Sequence, residues 1–105
     1  MQKLRTQAGG ANDATNAPTV SVVLPGALVA LFPGSQTHVE LQAGSVDEML
    51  GELDARWPGM RDRLRDERPS IRKHINIFVD GRRAALDTPL AQGSRVYVLT
   101  AMSGG

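Results

Sequence analysis

The sequence closes on Gly104-Gly105, directly after a strand-like run, Arg95-Val96-Tyr97-Val98-Leu99-Thr100-Ala101-Met102. A backbone carboxylate on an extended tail without side chains can be threaded into another protein's active site and made to react at its carbonyl carbon. Glycine has no Cβ, so its backbone fits a narrow channel and takes unusual dihedrals at little steric cost. Beyond Ala101, the four residues Met102 to Gly105 reach roughly 13 Å when fully extended. A second pair, Gly9-Gly10, has no such placement. Position just past a strand is what gives the terminal pair its chemical meaning.

The other residue types offer little competing chemistry. There is no cysteine, which excludes disulfides, thiolate metal sites and a Cys nucleophile. His38 and His74 are the only histidines, one in an alternating segment and one ahead of a strand, so a metal site is not expected. Asp47 and Glu48 are adjacent carboxylates, but neighbouring helix positions point in different directions; they suit the first turn of a helix. No serine stands at a recognisable spacing from a histidine base, and no glycine-rich phosphate loop joins a strand to a helix. An enzyme active site is not expected.

Composition narrows the partners. The formal net charge is +1, so no general attraction to nucleic acid or an anionic membrane is expected. No apolar run approaches a membrane span, and no apolar secretory segment opens the sequence, so the cytoplasm is the expected location. The most basic stretch, residues 61–73, contains Arg61, Arg63, Arg65, Arg68, Arg72 and Lys73, interleaved with Asp62, Asp66 and Glu67. Without an aromatic residue to stack on bases, it reads as a solvated, salt-laced loop better suited to an acidic partner protein than to nucleic acid.

At 105 residues the chain forms one domain. Residues 6–18 carry no large apolar side chain, so 1–18 is expected to be a disordered tail and 19–105 the folded domain with its Gly-Gly tail. Thr19 to Leu24 reads as a strand stopped by Pro25-Gly26, and Thr37 to Gln42 as a second strand antiparallel to it. Ser45 and Glu48 have capping-box spacing, and Val46, Met49, Leu50, Leu53 and Trp57 line one helical face up to Pro58-Gly59. Met60, Leu64 and Ile71 are expected to pin the charged connector to the body. Ile75 to Val79 is a third strand with Asp80-Gly81 as its turn, followed by a short return over Arg82 to Ala85. A turn at Asp87-Thr88-Pro89-Leu90 precedes the last strand, Arg95 to Ala101.

These elements predict an α+β fold, with a small mixed sheet packed on one main helix. Strand alternation then assigns faces. With Val96, Val98, Ile75, Ile77 and Val79 turned to the helix, Phe78, Tyr97 and Leu99 point outward. They would form an apolar patch beside the tail, a candidate docking surface that Met102 would extend.

From Thr19 to Gly105 the sequence resembles the MoaD/ThiS family of ubiquitin-like sulfur carriers. The resemblance is carried by Thr19 to Leu24, Ser45 to Leu53, Trp57 to Leu64, Ile75 to Gly81, Leu86 to Leu90, and Gly93 to Val98 leading to Gly104-Gly105. One departure is Thr100, where members often carry proline late in the last strand; it leaves the exit angle of the tail open. The resemblance implies a β-grasp fold and a cycle performed on Gly105. An adenylating partner resembling ubiquitin-activating enzymes would use ATP and magnesium to activate the terminus, and a sulfurtransferase would convert it to a thiocarboxylate. An acceptor enzyme, such as a molybdopterin synthase large subunit or a cysteine synthase homologue, would receive the sulfur. The chain would be a protein co-substrate with no permanently bound cofactor. The same tail also suits a protein modifier joined through Gly105 to lysines, and a plain interaction domain is the third alternative.

Overall fold

The computed structural model describes residues 17–68 and 70–100. Its elements are β1 (Thr19–Val23), α1 (Gly26–Val29), β2 (His38–Gln42), α2 (Val46–Arg56), α3 (Met60–Leu64), β3 (Ile75–Val79), β4 (Arg82–Arg83) and β5 (Arg95–Thr100). The strands form one sheet in the order β2-β1-β5-β3-β4. Two antiparallel hairpins, β1–β2 and β3–β4, therefore flank the last strand. β5 runs parallel to β1 and antiparallel to β3, so it is paired on both sides. Of the segment 1–18, only Ala17 and Pro18 are described; Pro18 already accepts a backbone hydrogen bond from Ala43 at 3.0 Å. The remainder of that segment, and Ala101 to Gly105, lie outside the described residues.

α2 forms where the capping chemistry and apolar spacing coincide. Glu48 N donates to Ser45 Oγ at 3.2 Å, and Gly44 N donates to Glu48 Oε1 at 2.8 Å. The return bond thus lands one residue ahead of its position in a standard capping box. The first two helical N–H groups, of Val46 and Asp47, donate to the carbonyls of Thr88 and Leu86. The turn at 85–90 therefore satisfies donors that a helix start would otherwise leave without partners. Val46, Met49, Leu50 and Leu53 are buried against Val20, Val22, Ile77, Val96 and Val98 in one core. Trp57 is half-buried at the C-cap rather than inside the helix.

The connector departs from the loop expected there. Met60 and Leu64, four apart on α3, are both fully buried, and Ile71 packs against the same core. Gly59 takes a positive φ of 99° to start this helix, with Phe32 Cε1 only 3.5 Å from where a Cβ would stand. Asp54 Oδ1 accepts from Gly59 N and Arg61 N, capping the turn. Arg65 then pairs with Ile71, and Asp66 accepts from Arg68 N, Ser70 N and Ser70 Oγ. The bonds from Arg68 hold the Asp66 carboxyl down to a pKa of about 2. α1 is a second departure: Pro25-Gly26 ends the strand but also opens a helical turn that buries Leu28.

Because Leu64 fills the core while its charged neighbours do not, Leu64→Ala should cost about 2–5 kcal/mol in urea unfolding. Arg63→Ala, at an exposed position, should stay within about 0.5 kcal/mol.

Candidate functional site

β5 alternates cleanly, with Val96 and Val98 buried and Arg95, Tyr97 and Leu99 exposed. β3 does the same, burying Ile75, Ile77 and Val79 and leaving Asn76 and Phe78 half-buried on the opposite face. The ladder places Phe78 directly across from Tyr97 and Asn76 directly across from Leu99. Residues directly opposite in neighbouring strands share a face and touch. The three outward residues expected from the sequence are thus brought together, with Tyr97 41% and Leu99 43% exposed.

The register extends this group into a row that crosses the whole sheet. Val23 lies beside Tyr97, His38 beside Val23, and Arg83 beside Phe78. The row His38–Val23–Tyr97–Phe78–Arg83 therefore has an apolar centre between two polar ends, with Leu99 set one step toward the end of β5. Sequence reasoning missed Val23 and Arg83, because their membership depends on which strands are neighbours. Leu31, 53% exposed, was missed as well. Its signal was the apolar run Ala27 to Phe32 between two Pro-Gly turns. Since β1 and β5 are parallel, Leu31 follows the end of the sheet from which β5 also departs.

Thr100 is the last residue of the ladder, opposite Ile75. The absence of proline there lets β5 remain paired to its end. β5 thus ends in the middle of the sheet, next to the apolar row. Met102, Gly104 and Gly105 lie outside the described residues.

The remaining candidates stay apart. Asp47 Oδ1 accepts from Arg65 Nη1 at 2.6 Å, while Glu48 holds Gly44, so the two carboxylates have separate structural partners. His38 and His74 are exposed on β2 and ahead of β3, with two strands between. Among the described residues, no group of three or more histidines and carboxylates is placed to hold a metal ion. No described helix is long and apolar enough to cross a membrane.

The family model described as the ThiS family matches residues 22–105, taking in the apolar row, β5 and the terminal glycines. The chain belongs to the ThiS family. Solved structures agree with the fold. A chain of the BexX/CysO complex of Amycolatopsis orientalis is 26% identical, with a TM-score of 0.74 over 82% of this chain and 99% of that one. CysO of Mycobacterium tuberculosis is 26% identical, with a TM-score of 0.71 over 79% of this chain and 99% of its own. SAMP1 of Haloferax volcanii, 22% identical, shares the fold with a TM-score of 0.70 over 83% of this chain and 99% of its own. No curated protein matches the chain. This ThiS-family chain is accordingly a ubiquitin-like β-grasp domain.

The two faces of the sheet predict opposite responses to truncation. Leu99→Ala should change unfolding free energy by less than about 1 kcal/mol, as expected for an exposed side chain. Ile77→Ala, on the buried face of the adjacent strand, should cost about 2–5 kcal/mol. Urea titrations of both variants check the assignment.

Proposed function

We propose that this protein is a sulfur carrier whose Gly105 carboxylate is adenylated and then converted to a thiocarboxylate. The observation that carries the reading is the ThiS-family match running through residue 105, on a fold whose central strand launches that tail. A free carboxylate is a poor acyl donor, because its charge is delocalised and oxide is a poor leaving group. An adenylating partner using ATP and magnesium would let a Gly105 oxygen attack the α-phosphorus, releasing pyrophosphate and leaving an acyl adenylate. A persulfide on a sulfurtransferase then attacks the acyl carbon and AMP departs. A thiol reduces the resulting acyl disulfide, leaving the thiocarboxylate. That sulfur attacks an electrophilic carbon of the acceptor's substrate, adding across its double bond or displacing its leaving group. Hydrolysis of the acyl–sulfur bond then restores the carboxylate and leaves the sulfur on the substrate. Throughout, the chain is a co-substrate.

In this reading the row centred on Phe78 and Tyr97, with Leu99 and Met102, docks the partner while the tail enters its active site. The BexX/CysO complex supports such an assembly, since it is named for two proteins together. The acceptor belongs to molybdopterin-type cofactor or cysteine biosynthesis, and the genes beside this one distinguish them: a molybdopterin synthase large subunit or a cysteine synthase homologue. A second reading, conjugation of Gly105 to lysines, draws support from the fold shared with small archaeal modifier protein 1. Higher-mass conjugates retaining Gly105 would favour it.

Two outcomes are expected. Phe78→Ala combined with Leu99→Ala should weaken binding to the adenylating partner by about tenfold or more, as for truncated interface anchors. Calorimetry measures this, and unchanged affinity would put the docking face elsewhere. Deleting Gly105, or adding one residue after it, should abolish ATP–pyrophosphate exchange by the partner while leaving the melting temperature unchanged. One residue moves the reacting carbonyl by about 3.3 Å, and misplacement of even ~1 Å can cost on the order of a hundredfold. A deletion variant that supports normal exchange contradicts the proposal.

A further inference from the structure

The cations gathered in residues 61–73 do not share one environment. Arg65 is paired with Asp47 and Arg68 with Asp66. Arg72 borders Asp62, Asp66 and Glu67 on one side, and on the other it joins Lys73 and Arg83 in a cleft of about 210 Å³ at the outer edge of β3. The cleft exists because β4 is only two residues long and pairs with Phe78 and Val79, leaving Ile75 and Asn76 uncovered on that side. Three cationic residues line it and no carboxylate does. Among the described residues, none of the three has a carboxylate within salt-bridge distance.

Two of these cations are held in place. Arg83 Nη2 donates to Asn76 Oδ1 at 2.6 Å, and Arg72 Nε donates to the Asp62 carbonyl at 2.7 Å. Fixed guanidinium forks favour planar oxyanions, carboxylates above all when the ligand is a protein side chain. The cleft also borders the apolar row: Asn76 faces Leu99, and Arg83 faces Phe78. Any protein that covers Phe78, Tyr97 and Leu99 must therefore draw water away from Arg83. Removing water from a cation without supplying a counter-charge costs more than the neighbouring apolar contact returns. Complementarity then requires an acidic group at that point of the partner.

We propose that the Arg72–Lys73–Arg83 cleft determines partner specificity by accepting an aspartate or glutamate side chain of the protein that docks on the apolar row. The identity of that protein as the adenylating partner rests on the carrier reading above; the cleft's chemistry does not depend on the tail.

The test is binding of the full chain to the adenylating partner without ATP, across a range of salt concentrations. Arg83→Glu combined with Lys73→Glu should weaken binding by at least about tenfold and flatten its salt dependence. Arg63→Glu, a single charge reversal at an exposed position of α3 and so the match for Lys73→Glu alone, should stay within about twofold, since it lies outside the cleft. Lys73→Glu alone, at an exposed residue with no structural bond to lose, should move affinity in the same direction should the double variant prove unstable. Reversing one partner carboxylate to lysine should restore binding of the glutamate variants. Unchanged affinity and salt slope in the variants, with normal adenylation of the wild type, overturns the cleft proposal and leaves the carrier reading standing. Inorganic phosphate that shifts the Lys73 and Arg83 resonances, while the variants keep wild-type affinity for the partner, assigns the cleft to a small anion and overturns it too. A wild type that binds the partner but never supports ATP–pyrophosphate exchange defeats the carrier reading; the affinities then decide the cleft separately.

Discussion

Insertion of the last strand between two hairpins is the constraint on which the rest of the molecule depends. β5 arrives after both hairpins in sequence, yet takes the central place, bonded through Arg95, Val96 and Tyr97 to β1 and through Val96 to Thr100 to β3. A central strand has no free edge and loses partners on both sides when it is displaced. The last strand before the terminal residues is therefore the most interior strand of the sheet. In the carrier reading proposed above, this anchoring would let the domain stay rigid while its end enters a partner.

The same insertion divides the labour between faces. Val96 and Val98 complete the core with α2, and α3 closes it from below with Met60 and Leu64. Stability is thus concentrated on the inner face. Outward positions of β1, β3 and β5 are left out of that core, and a register with Phe78 against Tyr97 makes them one surface rather than scattered residues. The brevity of β4 completes the arrangement. It supplies Arg83 to the row's end and leaves β3 open enough for a cationic cleft beside it.

Much of this was legible in the residues. Strict two-residue alternation in Ile75 to Val79 and Arg95 to Leu99 announced both faces, because period two has no other structural explanation over such lengths. Ser45 and Glu48 announced the start of α2. The ThiS/MoaD resemblance was visible in the same way, and the family match agrees with it. Illegible features are those set by distant pairing. α3 shows only two apolar residues among its charges, so its helical spacing was masked by a run of arginines and aspartates. α1 was hidden by reading Pro25-Gly26 only as a stop, although proline at a helix's N-cap is compatible with both. Val23, Arg83 and the cleft follow from strand order, a non-local property that composition and periodicity do not encode.

The central claim, that Gly105 carries sulfur, is tested most directly by intact-protein mass spectrometry of the wild type. The protein would be incubated with its cognate adenylating enzyme, ATP, magnesium, a sulfurtransferase loaded with persulfide and a thiol reductant. The account predicts a mass gain equal to exchange of one oxygen for sulfur, localised by fragmentation to Gly105. A terminus that stays a carboxylate under conditions in which the same enzymes convert another ThiS-family protein would contradict it.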